Sequence, residues 1–375
     1  MAPARARFPL LTVGVEEEFL LLDPATGEVA PVAEEVRRRA GGPIGARMVP
    51  ELTRFQVETN SAVHTDLRRL QGDLRETRAV ASEAAAAVGV GLAACGTALS
   101  GNLGMPPLSR SARYDRMAGE FRAIMRGQGV CGCHVHIGMA DREEAVRVSN
   151  HVRPWLPVLQ ALAGNSPIAD SMDTGYASWR SIVIARWPSV EPPPYFESAR
   201  HYDSLIEGLY ATGAIMDFGM VYWLVRLSHH LPTLEFRTAD ACATAEEATM
   251  LAALVRALAA TALSDVRAGV PAPAVEQTVL RAASWRAARD GLEGEGLDLL
   301  TGNREPAWEL ACRLLDHVRP SLMDTGDLPF VTSTLNLVRR RGSGAARQRA
   351  AYERRRRVTD VARLLVEQTV TGLPS

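Results

Sequence analysis

The chain has 375 residues, of which 47% are apolar and 23% charged, and its formal net charge is −1. This composition can bury a sizeable core, and the balanced charge supplies no basic surface for counterion-release binding to nucleic acid. All 42 basic side chains are arginine, because the sequence contains no lysine, which excludes a Walker-type phosphate loop and a Schiff-base lysine. Any phosphate must therefore be handled by metal ions, arginine forks and backbone N–H groups.

Apolar patterning alternates between strand and helix along the chain. Strands are predicted near 8–23, 47–60, 89–95 and 130–139, with two more between 218 and 238 on either side of Pro232. Helices are predicted near 31–39, 66–88, 113–126, 141–162, 244–266, 273–290, 305–318 and 346–370, with loops at 96–109 and 164–198. Several strands carry charge at alternate positions, which favours an antiparallel sheet with one polar face and helices on the other, an α+β fold.

The cysteine content and the N-terminus indicate a cytoplasmic protein. Five cysteines, an odd and sparse set in a large chain, do not suggest a disulfide framework. The apolar stretch from Phe8 to Val15 follows a basic start but runs directly into acidic residues, so it is too short for a cleaved signal. No apolar run approaches the roughly 18 residues of a membrane span, so we expect none.

The segment Gly14–Phe19 places three acids in a row on a predicted strand. Side chains alternate across a strand, so Glu16 and Glu18 share one face. Two adjacent carboxylates repel each other unless a cation neutralises them, and hard divalent cations prefer oxygen ligands. The segment therefore predicts a metal site, with a solvated edge strand as the alternative.

A second pair of acids, Glu51 and Glu58, lies among apolar residues that include Leu52, Phe55 and Val57. This segment is therefore expected to be at least half buried. A separation of seven residues puts the two acids on opposite faces of a regular strand. If both point at one site, a bulge or turn must lie between them. The alternative is that each is an ordinary surface acid.

Two histidines, His134 and His136, share a face of the strand Gly132–Gly138. Their common face, with glycine at both ends of the segment, favours a ligand role over that of ordinary hydrogen-bonded strand residues. Cys131 and Cys133 beside His134 also raise the possibility of zinc. No second pair of cysteines or histidines has the spacing of a zinc finger, however.

Glu235 and Arg237 share a face between apolar neighbours on another predicted strand. A structural ion pair is one reading; a metal-binding carboxylate beside an arginine that holds a phosphoryl group or carboxylate is the other. Taken with the earlier clusters, this makes four strands whose polar faces carry acids, histidine and arginine. Such a face is suited to two magnesium ions and a triphosphate, as phosphoryl transfer requires.

The sequence resembles the type 2 glutamate–cysteine ligases, a family of carboxylate–amine ligases, over about residues 10–370. The motifs that carry the resemblance occur in the same order: GVEEEFLL (14–21), GCHVHIG (132–138), RPWLPVLQALAGNSP (153–167), DTGYASWR (173–180), RWP (186–188) and LEFRTAD (234–240). The resemblance implies a glutamine-synthetase-like catalytic domain over residues 1–375. It also implies a curved, mostly antiparallel sheet with helices on its convex side and the active site on its concave face.

The resemblance also implies roles for individual residues. It assigns metal binding to six of them: Glu16, Glu18, Glu51, Glu58, His134 and Glu235. Arg237 is expected to contact the transferred phosphoryl group, and His136 with Arg237 the nucleotide. Arg180 is expected to bind the substrate carboxylate or the phosphoryl group. Three further residues are candidates for substrate contacts: Asn165, Ser166 and Tyr176.

The reaction implied by the resemblance uses ATP and Mg²⁺. A carboxylate, from glutamate or another amino acid, attacks the γ-phosphorus, and an amine, from cysteine or another donor, then displaces phosphate from the acyl phosphate. A phosphotransferase that acts on a carboxylate or guanidino group remains an alternative, as does a non-catalytic nucleotide-binding relative. A homo-oligomer is left open, and we expect neither a nucleic-acid nor a membrane partner.

Two loops depart from the family pattern, and one basic segment remains unassigned. Residues 96–99 read Gly-Thr-Ala-Leu where the family often has Gly-Thr-His-Pro, and Ile-Ala-Asp at 168–170 replaces residues that are commonly aromatic. Both loops are expected to line the substrate pocket, so the acyl donor is left open. The Arg-rich stretch 347–357 is a solvated helix face or a contact for an acidic ligand or partner subunit.

Overall fold

A seven-stranded antiparallel sheet organises the computed structural model, which describes residues 8–101 and 104–372. The strands in this part of the chain are β1 (Val13–Leu22), β2 (Met48–Pro50), β3 (Gln56–Asn60), β4 (Gly91–Ala93), β5 (Gly132–Gly138), β6 (Ile168–Ala169), β7 (Met172–Asp173), β8 (Val225–Leu227), β9 (Thr233–Asp240), β10 (Glu295–Leu297) and β11 (Arg304–Pro306). The order in the sheet is β2-β3-β1-β5-β9-β8, with β4 also paired to β1, and every one of these pairings is antiparallel. Two small ribbons, β6-β7 and β10-β11, lie outside this sheet.

Helices supply most of the remaining regular structure of the described residues. They are α1 (Ala33–Arg39), α2 (Gly42–Gly45), α3 (Leu67–Ala86), α4 (Ala112–Phe121), α5 (Arg142–Val152), α6 (Leu156–Leu162), α7 (Trp179–Ile184), α8 (Ala199–Ala211), α9 (Ala245–Arg267), α10 (Gln277–Asp290), α11 (Ala307–Thr325), α12 (Leu328–Arg341), α13 (Gly344–Arg355) and α14 (Val358–Thr369). The predicted α+β class, with an antiparallel sheet and helices, is therefore confirmed.

Strand β1 shows how the sheet separates its two faces. Val13 and Val15 belong to the main apolar core, which also contains residues of α3, α5, α6 and α9. Phe19 belongs to a second cluster, formed with α1 and α3. Glu16 and Glu18, which alternate with these apolar residues, lie on the opposite face, as the two-residue period of a strand requires. Helices therefore cover the apolar face, and the acids lie on the other face.

The middle acid of the same strand points toward the helices. Glu17 is 1% exposed and accepts two hydrogen bonds from the guanidinium of Arg78 in α3, at 2.6 and 3.1 Å. Arg78 is itself fully buried, and its carbon Cζ lies 5.3 Å from the centre of the Phe19 ring. A buried charge needs such a partner, so the central acid of the motif has a structural role.

Helix α5 begins as its sequence predicts. The side chain of Asp141 accepts hydrogen bonds from the backbone N–H groups of Glu143 and Glu144, at 2.8 and 3.0 Å, and so caps the helix. The carboxylate of Glu144 does not return to the cap, since it binds Arg267 of α9 at 2.7 and 2.8 Å. Asp141 therefore caps α5, and Glu144 ties α5 to α9.

Prolines and a left-handed residue divide two of the predicted helices. The predicted helix 141–162 is interrupted at a 3₁₀ turn, Arg153–Trp155, because Pro154 lacks a backbone N–H. The predicted helix 346–370 divides at Arg356, whose φ is +55°. Three helices, α2, α8 and α12, were not predicted, and α7 interrupts the predicted loop 164–198.

Helix α9 is long and apolar enough to span a membrane by length and composition alone. This differs from the expectation that no apolar run approaches that length. In the fold, however, 83% of its apolar window is buried inside the protein. It packs against α3, α5, α11 and α12, as the core helix of a globular domain does.

Candidate active site

Two groups of metal-ligand side chains lie on the polar face of the sheet. The first group, here called the acid triad, contains Glu18, Glu51 and Glu58; the second, the mixed triad, contains Glu16, His136 and Glu235. Within each triad the potential ligand atoms lie within 4.8 Å of one another. Five of the six residues predicted to bind metal fall into these triads.

Strand pairing and one bend assemble the acid triad. Glu18 of β1 is directly opposite Glu58 of β3 in the antiparallel register. Glu51 follows β2, and residues 51–55 bend before β3 begins. This bend is the interruption that the spacing of Glu51 and Glu58 required, and it brings both carboxylates to one site.

The acid triad is electrostatically strained without a cation. Burial and the nearby charge of Glu51 raise the pKa of Glu18 to about 8. Burial also raises the pKa of Glu51. The pKa of Glu58 is well above its usual range because of burial and the charges of the other acids. Like charges at directly opposed strand positions are destabilising, and an oxygen-rich set of this kind fits a hard divalent cation.

The mixed triad joins three strands, β1, β5 and β9. His136 Nε2 lies 2.9 Å from a carboxylate oxygen of Glu16, and His136 Nδ1 lies 2.9 Å from the hydroxyl of Thr233. Binding of a metal at Nε2 would place the ring proton on Nδ1, where the Thr233 hydroxyl can accept it. Burial opposes ionisation of Glu16, but hydrogen bonds and charges from His134 and His136 hold its pKa well below its usual range.

His134 lies between the triads. Its Nδ1 is 3.2 Å from Glu16 and 3.4 Å from Arg237, and its Nε2 is 3.8 Å from Glu18. Burial and the charge of Arg237 lower the pKa of His134 to about 4. Burial therefore keeps it uncharged, and its Nε2 has no hydrogen-bond partner among the described residues. The metal-binding role of His134 stays a prediction beside that of His136, which lies in the mixed triad.

Two arginines flank Glu235 of the mixed triad. Arg237, two residues along β9, makes an ion pair with one of its oxygens. Arg226 of β8, the cross-strand partner of Glu235, donates to both oxygens at 2.8 and 3.2 Å. Burial opposes ionisation of Glu235, but the two arginines hold its pKa well below its usual range. Arg226 was missed from the sequence, although an arginine between apolar residues on a strand is the pattern that identified Arg237.

A cavity of about 100 Å³ opens beside the acid triad. We call it the arginine cavity, because Arg180 and Arg237 contribute to its walls together with Glu18, Glu51 and His134. Arg180 is 5% exposed, and its Nε and Nη1 atoms have no hydrogen-bond partner among residues 8–101 and 104–372. A buried guanidinium with unpaired N–H groups is a ready partner for an anionic group.

A buried network fixes the position of Arg180. The hydroxyls of Ser166 and Ser178 donate to Asp240, each at 2.7 Å. The backbone N–H of Arg180 in turn donates to the Ser166 hydroxyl at 3.1 Å. Burial raises the pKa of Asp240. A Cβ atom at Gly132 would lie 2.5 Å from Arg180 Nη2, so a larger residue there would displace the guanidinium.

Three predicted substrate contacts lie away from the arginine cavity. Asn165 is 2% exposed, and its side-chain amide donates to the carbonyls of Ala94 and Ala241. Ser166, 1% exposed, is held by Asp240. Tyr176 packs edge-on against Trp179 and does not line the cavity. The polar groups of Asn165 and Ser166 are therefore occupied inside the protein, and their predicted contact with the substrate stays a prediction.

The two loops that depart from the family pattern also lie elsewhere. Ala98, Leu99 and Ile168 are part of a buried apolar cluster with Tyr352 and residues of α14. The expectation that residues 96–99 and 168–170 line the pocket is therefore not met for the cavity described here. The zinc interpretation finds no support either, since Cys131 and Cys133 join separate apolar clusters and neither metal-ligand triad of the described residues contains cysteine.

Together, the antiparallel sheet and the acidic, arginine-lined cavity on its polar face are typical of an α+β enzyme that acts on anionic groups. Comparison with known proteins then gives the family. Residues 12–367 match the description of glutamate-cysteine ligase family 2, and the chain belongs to this family. The resemblance identified from the motifs is confirmed.

Named relatives and a solved structure agree with this assignment. A protein of Saccharopolyspora erythraea, provisionally named glutamate–cysteine ligase 2-1, is 46% identical over 361 residues, 96% of this chain and 95% of that protein. A protein of Salinispora arenicola, provisionally named glutamate–cysteine ligase 2, is 46% identical over 344 residues, 92% and 91% of the two chains. The structure of glutamate–cysteine ligase from Francisella tularensis in complex with AMP has a TM-score of 0.69 at 14% identity, covers 97% of this chain and 90% of that one, and shows a shared fold.

The family membership and the names of these relatives establish the general type of enzyme. The chain is an enzyme of the glutamate–cysteine ligase type, a ligase that forms a carbon–nitrogen bond.

Proposed function

We propose that this enzyme joins a carboxylate to an amine at the expense of ATP, through an acyl phosphate, with Mg²⁺ held by the two triads. One observation carries the proposal: a triad of buried carboxylates borders a cavity in which Arg180 presents unpaired N–H groups. Such a site can hold cations and an anionic reactant side by side. Phosphoryl transfer to a carboxylate needs that arrangement, because two anions must approach each other.

The donor atoms of both triads fit Mg²⁺. Carboxylate oxygens dominate, with one imidazole nitrogen, and the acid triad has raised pKa values that a bound cation would reverse. Glu18, Glu51 and Glu58 would hold one ion and Glu16, His136 and Glu235 another. Bound Mg²⁺ supplies charge neutralisation for the phosphate oxygens.

The arginines are assigned to the anionic reactants. Arg180, whose Nε and Nη1 are both without a partner, binds and orients the substrate carboxylate in the arginine cavity. Arg237 is anchored by Glu235 and lines the same cavity, so its remaining donors face the group in transfer. Donors fixed in this way stabilise developing negative charge without reorganising during the reaction. Arg226 also donates to Glu235, so it helps to hold the carboxylate that anchors Arg237.

His134 is assigned a positioning role between the triads. Its low pKa keeps it uncharged, so it does not compete with the cations. Its ring contacts Glu16 and Arg237, and it therefore sets the separation between the mixed triad and the phosphoryl-binding arginine.

The substrates are proposed as a small-molecule carboxylate, such as glutamate or another amino acid, and an amine, such as cysteine. The names of the relatives support amino acid substrates. We assign the whole chain to one catalytic domain and place the enzyme in the cytoplasm, where ATP is available. All five cysteines are free, which agrees with a reducing compartment.

The test is a screen for ADP release against a matrix of amino acids and amines with Mg²⁺ and ATP, followed by mass spectrometry of the products. We expect ADP release to require both an acid and an amine, and an amide to form. ADP release from an acid alone, with a stable phosphorylated product, would favour a phosphotransferase. No nucleotide turnover or binding with any pair would favour a non-catalytic relative.

Replacing Arg180 with Lys is expected to raise the KM for the carboxylate substrate by about 10- to 100-fold, with little effect on the KM for ATP. Lysine keeps the charge but loses the planar fork that binds both carboxylate oxygens. The range corresponds to a charged hydrogen bond of about 1.5–3 kcal/mol. Steady-state kinetics with each substrate varied in turn measure the effect.

Arg186→Lys provides the matched control, since Arg186 is exposed just beyond α7 and its guanidinium donates to the backbone carbonyl of Val183. Both KM values should stay at the wild-type level in this variant. An Arg180→Lys enzyme with a higher KM for ATP and an unchanged KM for the acid would contradict the assignment.

Magnesium is expected to stabilise the protein more strongly at higher pH. Between the ordinary pKa of a glutamate, 4.5, and about 8 the folded protein holds the extra proton on Glu18. The free energy of unfolding without metal therefore falls as pH rises through this window. Each extra proton bound by the folded state contributes a fall of up to about 1.4 kcal/mol per pH unit. Mg²⁺ competes with those protons, so its effect on Tm should grow from about pH 6 to about pH 8.5.

Thermal unfolding with and without Mg²⁺ at a series of pH values measures this effect, and proton release into a weak buffer gives an independent count. Glu58→Gln removes one of the three acids, so it should reduce both the proton release and the gain in Tm. A gain in Tm that is equal at all pH values would contradict the expected coupling.

A further inference from the structure

A second cavity, of about 400 Å³, lies next to the arginine cavity. The two cavities share three wall residues, Ile184, Val190 and Leu224, so an apolar partition separates them. Ile184 and Val190 are only partly buried. The second cavity is the larger of the two, and none of the residues assigned a role in the proposed reaction lines it.

Two buried polar groups line the second cavity without a partner. Gln160 is 4% exposed and Ser284 is 8% exposed, and neither Gln160 Oε1 nor Ser284 Oγ has a hydrogen-bond partner among the described residues. The amide of Gln160 cannot turn over, because its Nε2 donates to the Ser284 carbonyl at 3.1 Å and to the Ser181 hydroxyl at 3.0 Å. Its oxygen therefore offers an acceptor to a hydrogen-bond donor in the cavity.

Nine of the other thirteen lining residues are apolar and include one aromatic ring, and two, Glu191 and Arg281, are charged. Trp285 is 45% exposed, and Ile182 and Pro192 add apolar surface. The ring of Trp285 is backed by Arg289, whose Cζ lies 5.6 Å from the ring centre. Aromatic and apolar walls with a few polar groups are typical of a site that binds a planar organic molecule.

We infer that the second cavity binds the ring of an aromatic carboxylic acid whose carboxylate lies in the arginine cavity, the ring carrying an N–H or O–H that donates to Gln160. The inference rests on the proposed function and names the substrate class of its acid. Glutamate offers no such ring, and Gln160 and Ser284 would stay unpaired with it. An aromatic acid would fill both cavities past the partly buried residues of the partition.

The position of the mixed triad distinguishes this occupant from the base of the nucleotide. Glu16, His136 and Glu235 line neither cavity, and the arginine cavity borders the acid triad. The second cavity therefore extends the carboxylate-binding side of the site. A nucleotide whose phosphates lie at the mixed triad would leave the second cavity to the organic acid.

The test is a substitution that fills the second cavity from its exposed wall. Ala282 is exposed on α10 and lines the cavity, so Ala282→Trp would put an indole into it while removing no buried contact. The matched control is Val279→Trp on the same helix, because Val279 is 43% exposed and does not line the cavity. Binding of indole-3-propionate, L-glutamate and ADP with Mg²⁺ is measured by calorimetry on the full-length protein and both variants.

We expect indole-3-propionate to bind the wild type and the control equally and to bind Ala282→Trp at least about tenfold more weakly, with ADP binding unchanged. Its 1-methyl derivative, which lacks the N–H, should bind the wild type at least about tenfold more weakly. Unchanged or absent binding of the indole acid would overturn the inference. So would a loss of ADP affinity alone in Ala282→Trp, since the cavity would then hold the base.

These results are separable from the proposed function. Amine-dependent ADP release by the wild type with any acid supports that function whatever the indole acid does. If ADP release is seen but Ala282→Trp does not affect the aromatic acid, the subsite is wrong and the ligase proposal stands.

Discussion

Glu16→Gln is expected to reduce ATP turnover by at least about 10²- to 10³-fold, the loss seen when one fixed electrostatic contact to a transition state is removed. Glu16 belongs to the mixed triad and also contacts both histidines of the site, at 2.9 Å from His136 and 3.2 Å from His134. The substitution keeps the size of the side chain and removes its charge. A neutral amide is a weaker ligand for Mg²⁺ than a carboxylate, so metal affinity should fall along with turnover.

The fold is expected to survive this change. Glu16 adds to the negative charge that raises the pKa values of Glu51 and Glu58. Its neutralisation relieves that repulsion, but it also removes the contacts with His134 and His136 that hold the pKa of Glu16 below its usual range. These two effects oppose each other, so Tm without Mg²⁺ should change little. The large effect should appear in kcat and in the response of Tm to Mg²⁺.

Glu34→Gln is the matched control, because Glu34 is exposed on α1 and takes part in no ion pair within the described residues. ADP release under saturating Mg²⁺ and ATP, circular dichroism and thermal unfolding compare the three proteins. Turnover by Glu16→Gln within a few-fold of the wild type would remove the mixed triad from the mechanism.

Local periodicity was sufficient to predict the faces of the sheet. The alternation in Gly14–Phe19 placed Glu16 and Glu18 on one face, and the same rule placed His134 with His136 and Glu235 with Arg237. The structure brings all six into one region, because β1, β5 and β9 are neighbours in the sheet. Neighbouring order is a property of the fold, and only the family resemblance supplied it.

The two-residue periodicity of a strand cannot distinguish the surroundings of the two histidines. His134 and His136 share a face, so periodicity treats them alike. The register of β5 on β9 separates them, because it shifts between Cys133 and Val135 and pairs His136 with Glu235. That irregularity depends on long-range hydrogen bonding, which neither strand shows by itself.

Partners that are distant in sequence were likewise not predictable. Gln160 and Ser284 meet across 124 residues, and Asp240 lies 60 residues from Arg180 in sequence. Asn165 and Ser166 lie within the motif of residues 153–167, and the resemblance predicts that they contact the substrate. Their hydrogen bonds lead instead to Ala94, Ala241 and Asp240, which a sequence motif does not reveal.

The largest effect on stability is expected from Arg78→Ala, at about 3–5 kcal/mol in the free energy of unfolding. Arg78 is fully buried and binds Glu17 through two nitrogen atoms. It also donates to the carbonyls of Cys242, at 2.8 Å, and Thr369, at 3.4 Å. Its removal leaves the Glu17 carboxylate buried without its ion-pair partner, and it separates β1 from the chain that follows β9 and from the end of α14.

Denaturant unfolding of the variant measures the loss, and Arg68→Ala is the matched control because Arg68 is exposed on the same helix. That control should stay within about 0.5 kcal/mol of the wild type. A loss of less than about 1 kcal/mol in Arg78→Ala would mean that Glu17 finds another partner or a proton at little cost.

The double variant Glu17→Leu with Arg78→Leu separates the cost of an unpaired charge from the worth of the pair itself. If the single loss arises mainly from burying the Glu17 carboxylate alone, replacing both partners by apolar residues should recover much of it, because a buried pair often contributes little relative to apolar packing. The carbonyls of Cys242 and Thr369 would still lose a donor, so recovery should be incomplete. A double variant as unstable as Arg78→Ala would instead show that most of the loss comes from the contacts of Arg78 with these carbonyls. Through Arg78, Glu17 then joins β1 to the end of α14.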